Sequence, residues 1–176
     1  MKKLYLVDDI KNQAKYGFGL ECSSELAGRE DADMLFKEVS SLEIIPESYF
    51  FGKKSEFIKR LGMSQTPVIG HCVDLSIGTD EPLDKTHLRQ TKEVLDKVNT
   101  VIFSDHLCMT HASGIDIGQL TTLPFTHKVV DVVCRKIDQV RKEFPQPFMI
   151  ENITNRFLYP GNEMEETDSC REEDNN

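Results

Sequence analysis

The chain has 176 residues, 39% hydrophobic and 29% charged, a balance typical of a globular protein with a real core. Its formal net charge is −9, but residues 163–176 alone carry −6, which leaves the other residues nearly neutral at −3. No basic patch points to nucleic acid, no run approaches the roughly 20 apolar residues of a membrane span, and residues 1–10 lack the apolar stretch of a secretory leader.

Short apolar runs alternate along the chain with segments of helical period. Residues 17–20 predict a first strand and residues 31–40 a helix, with Leu35, Phe36 and Val39 on one side. A second strand over 42–45 is stopped by Pro46, and a short helix follows over 55–61. Residues 67–70 predict a third strand. A helix over 83–98 follows, with Leu88, Val94, Leu95 and Val98 clustered on one side. The fourth strand is expected at 100–103. Thr126 can cap a long helix to Glu143, with Val129, Val130, Val133, Ile137 and Val140 at helical spacing. Pro145 ends that helix, and residues 147–150 predict a fifth strand. Beyond Ile153 the pattern dissolves.

Strands alternating with helices predict a parallel α/β sheet, and the strands have the apolar character of strands covered on both faces. Two architectures fit: an open doubly wound sheet and a segment of a (β/α) barrel. No GxGxxG or GxxxxGK[ST] follows the first strand, so nucleotide-binding versions lose support. A complete eightfold barrel takes about 250 residues. The expectation is therefore an incomplete barrel domain over 1–162, followed by an acidic disordered tail over 163–176. Cys22, Cys72, Cys108, Cys134 and Cys170 are odd in number and widely spaced, with no CxxC, which predicts reduced thiols in a cytoplasm rather than a disulfide scaffold or thiolate zinc site.

The chemistry-bearing residues share one register. Glu47 follows the second strand, His71 the third, Asp105 and His106 the fourth, and Glu151 and Asn152 the fifth. In parallel α/β folds the C-terminal ends of the strands form the rim where ligands bind. Imidazoles mixed with carboxylates suit iron, manganese or zinc better than magnesium or calcium. Taken singly, each residue also fits a bland role: His71 as a capping or hydrogen-bonding side chain, Asp105 and Glu151 as helix caps or loop acids, Glu47 as a turn residue. His87, His111 and His127 read as solvated.

Six segments in order carry a resemblance: residues 43–50 (EIIPESYF), 70–78 (GHCVDLSIG), Pro82-Leu83-Asp84 with His87-Leu88, Ser104-Asp105-His106-Leu107, Leu123-Pro124-Phe125-Thr126, and Glu151-Asn152. Together they resemble the multinuclear non-haem iron-dependent oxidases, whose type example acts in methanobactin biosynthesis, over roughly residues 17–165. The resemblance implies a xylose-isomerase-like TIM (β/α)8 barrel holding two or three iron ions. It implies oxidation of cysteines in ribosomally made precursor peptides, with a partner protein that recognises the peptide. It makes His71, Asp105 and Glu151 ligand candidates, with Glu47, His106 and Asn152 beside them. Asp105 stands where the family has glutamate and is one methylene shorter. Ser48 replaces the usual asparagine, and Cys72 the second glycine of Gly-His-Gly.

On this reading about five of eight barrel units are present and the remaining ligand-bearing strands have no counterpart. A truncated, non-catalytic remnant or binding subunit, and a metal-dependent barrel isomerase or endonuclease, are the competing readings. Self-association is expected through the open sheet edges near Phe18 and Phe148.

Overall fold

The computed structural model describes residues 17–23, 26, 29–154 and 159–168. The leader expectation for residues 1–10 and the end of the acidic tail, with Cys170, lie outside them. The described elements in chain order are strand β1 (Gly19–Glu21), helix α1 (Ala32–Glu38), β2 (Ser41–Ile44), a 3-10 segment (Pro46–Gly52), α2 (Ser55–Met63), β3 (Val68–His71), α3 (Lys85–Lys97), β4 (Ile102–His106), β5 (Met109–Ala112), β6 (Ile115–Thr121), α4 (His127–Glu143) and β7 (Phe148–Glu151).

Five strands make one parallel sheet in the order β1-β2-β3-β4-β7, flanked by helices. Pairing in sequence order with no reversal is the order of barrel strands, not of a doubly wound sheet. The chain divides into two compact units. One runs as far as His71 and includes Arg89–Phe103; the other comprises Cys72–Leu88 and everything from Ser104.

In the first unit, β2 pairs with β1 and β3 at Leu20↔Leu42 and Leu42↔Val68. Leu42 and Ile44 are fully buried while Ser41 and Glu43 are half-exposed, so one face of the strand meets the core. Phe57, Ile58 and Leu61 form the buried stripe of α2. The Phe57 ring lies 6.0 Å from Phe36 and 6.2 Å from Tyr49. The Tyr49 hydroxyl donates to the Cys22 carbonyl at 2.9 Å, which satisfies a buried polar tip. A Cβ on Gly70 would run into the Leu95 side chain and sit 3.3 Å from Phe103 Cβ, so the missing side chain lets Leu95 pack closely on β3.

In the second unit, the Thr126 hydroxyl accepts the Val129 N–H at 3.3 Å and caps α4 as expected. Val130, Val133, Ile137 and Val140 are buried on that helix, which stops at Glu143 with Phe144 extended before Pro145. The sequence reading omitted the antiparallel hairpin β5–β6. Its two-residue loop, Ser113-Gly114, has φ of 53° and 74°, as a type I′ turn requires. Glu163, the first residue of the acidic segment, is hydrogen-bonded within this unit. Glu163 N–H donates to the Phe125 carbonyl at 2.8 Å, and the Glu163 carboxylate accepts the His127 N–H at 2.9 Å.

Candidate metal centre

His106 ends β4 and Glu151 ends β7, both in the second unit. His106 is buried, whereas the Glu151 side chain is 57% exposed and can adjust its position. The His106 Nε2 lies 4.0 Å from Glu151 Oε1. Asp105 is fully buried one residue earlier. Its Oδ2 accepts the Leu75 N–H at 2.9 Å and its Oδ1 the His106 N–H at 2.5 Å. A carboxylate so engaged fixes the loop after β3 and the end of β4. Asn152 donates from Nδ2 to Glu166 Oε1 at 2.9 Å.

His71 is the last residue of β3 and is half-buried. Glu47 lies in the first turn of the 3-10 segment. Within the second unit, the His106 imidazole and the Glu151 carboxylate supply two donors for a metal ion. The donors fit an ion by chemistry. An imidazole and a carboxylate are both members of the facial donor set of non-haem ferrous sites. Two donors on one ion at about 2.1 Å each can stand about 4.2 Å apart at most, and the 4.0 Å between His106 and Glu151 lies inside that limit.

Two histidines read as solvated are half-buried: His111 on β5, and His87 in the first turn of α3, inside the helix expected there. Both line a cleft of about 280 Å³. The hairpin signal was present as Ser113-Gly114 between short alternating runs, a turn dipeptide that sequence reading can use. Among the described residues, Cys22, Cys72, Cys108 and Cys134 form no disulfide with one another. Burial, then Asp105 and Asp74, pushes the Cys108 thiol up to about 12, so it stays protonated near neutral pH. Among the described residues no helix is long and apolar enough to cross a membrane.

The chain is similar to several curated proteins. It is 33% identical over 133 residues to a UPF0276 protein of Acinetobacter baylyi, covering 74% of this chain and 45% of that one. A UPF0276 protein of Shewanella loihica is 32% identical over 163 residues, 89% of this chain and 55% of the relative. One from Acaryochloris marina is 30% identical over 125 residues, 71% and 45%. The chain thus spans about half the length of the curated relatives it matches. Residues 17–172 match the family model for the RiPP precursor modification enzymes MbnB/TglH/ChrH. That match takes in the strand ends bearing His71, His106 and Glu151, and the chain belongs to this family.

Proposed function

We propose that the chain is part of an iron-dependent enzyme that oxidises cysteines in ribosomally made precursor peptides, working in a reducing cytoplasm with a partner protein that recognises the peptide. The observation that carries this reading is the His106 and Glu151 donor pair at strand ends in a chain of a peptide-modifying family. Bound ferrous iron would supply the redox chemistry with dioxygen. The chain's own residues hold and orient it. His106, buried at the end of β4, gives an imidazole in a fixed direction. Asp105 fixes the backbone on which that imidazole stands by accepting the His106 and Leu75 N–H groups. Glu151 supplies the adjustable carboxylate, and His71 the second imidazole.

The test is anaerobic loading of the chain with ferrous iron, then exposure to oxygen with a cysteine-bearing peptide and, as control, its Cys→Ser counterpart. Oxygen uptake and a mass change confined to the cysteine peptide are expected. Iron binding without either result would overturn the oxidase reading.

A further inference from the structure

We infer that the second unit carries a binding site for a basic side chain, the guanidinium or ammonium of a peptide arginine or lysine, in the cleft beside the β5–β6 hairpin. Its assignment to the precursor peptide rests on the function proposed above. The cleft itself does not.

The cleft, at about 280 Å³, is near the low end for small-molecule sites, so it suits one side chain rather than a large cofactor. Buried Leu75 and Leu83 form apolar wall, where the methylene stem of a long cationic side chain would lie. Asp74, Asp84 and Asp116 supply three carboxylates, with no lysine or arginine in the lining. Among the described residues none of these aspartates is in an ion pair with a lysine or arginine. Lys128 and Arg135 instead pair with Asp80, outside the lining. An anionic ligand would therefore meet uncompensated negative charge. A metal ion is a poor occupant too. Among the described residues, no three donors of the cleft lie close enough to share an ion. The charge and shape together fit an extended organic cation.

The walls are held in advance of any ligand. Thr79 Oγ1 donates to the His111 carbonyl at 2.6 Å, and the Thr110 N–H donates to Ser76 Oγ at 2.9 Å. Ser113 N–H donates to Glu81 Oε1 at 2.5 Å, while the buried Lys136 ammonium holds the Glu81 carbonyl. Asp84 Oδ1 accepts the Thr86 N–H at 2.7 Å, and Asp116 Oδ1 the Gly118 N–H at 2.8 Å. Asp84 and Asp116 are each held by one oxygen and keep the other for a ligand. Such preorganisation lowers the ordering cost of binding.

The test compares acetyl-Gly-Arg-Gly-amide with its citrulline counterpart, a neutral isostere, by calorimetric titration of the full chain at low salt. The arginine peptide should bind at least about tenfold more tightly, since a charge-assisted bond is roughly twice as strong as a neutral one. The Asp74→Asn, Asp116→Asn double variant keeps the oxygen that Gly118 N–H uses, and should lose that preference with an unchanged melting midpoint. Equal affinity for the two peptides, no arginine-peptide binding, or an unaltered preference in the double variant would overturn the site. Metal binding is measured alongside with His106→Ala, which should lose the ion and keep the arginine preference. If the wild-type chain binds the arginine peptide but no ferrous iron, the cleft stands and the proposed function falls.

Discussion

Asp105 shows how far a side chain's role depends on neighbours distant in sequence. Its place at the C-terminal end of the fourth strand was legible from the apolar run before it. Its partners were not, because the Leu75 N–H that it accepts lies in a loop of no regular pattern. Asp105→Ala would leave two backbone N–H groups without their acceptor, at about 1–3 kcal/mol for each buried donor. We expect a clearly lower urea midpoint, with a smaller loss in Asp105→Asn, which keeps one acceptor. An Asp105→Ala midpoint equal to wild type would remove the positioning role. The thiols give a pH prediction. Burial pushes Cys22 and Cys108 from 9.0 up to about 12, with smaller contributions from Glu21 at Cys22 and Asp105 at Cys108. Between those values the unfolded chain has lost protons that the folded chain keeps. Stability should hold steady up to about pH 9 and fall from there towards pH 12. Urea midpoints across that range check the sign; a midpoint that rises with pH would contradict it.

At the scale of elements, the periodic segments were the readable ones. The valines of the last long helix and its Thr126 cap are local signals, and α4 starts and stops where they say. Thr126→Ala should cost about 1 kcal/mol, readable as a urea midpoint shift without change of slope. The β5–β6 hairpin was harder because polar residues interrupt both strands and β6 is mostly exposed, so no apolar run marks them. Gly70 shows the opposite limit. Nothing in the local sequence says that Leu95 packs on its Cα, since that contact is made across the β3–α3 connection. Gly70→Ala should cost about 1–3 kcal/mol through overpacking. A neutral effect would mean that Leu95 can move aside freely.

For the whole molecule, strand order followed from the alternation of strands and helices, because parallel neighbours need crossover helices and sequence-order pairing is their simplest arrangement. The same logic placed His71, His106 and Glu151 at strand ends. Register says where a residue sits on a strand but not how far its head group reaches. Central to the proposed function is that His106 and Glu151, with His71 as the resemblance implies, hold one metal ion. Its most direct measurement is anaerobic ferrous titration of the wild-type chain and of His71→Ala, His106→Ala, Glu151→Gln and Asp105→Asn, with bound metal counted after desalting. The account predicts one ion per chain in the wild type, retained in Asp105→Asn and lost from both histidine variants, with Glu151→Gln clearly weakened. An ion bound equally well without His71 or His106, or one lost with Asp105→Asn alone, would contradict it.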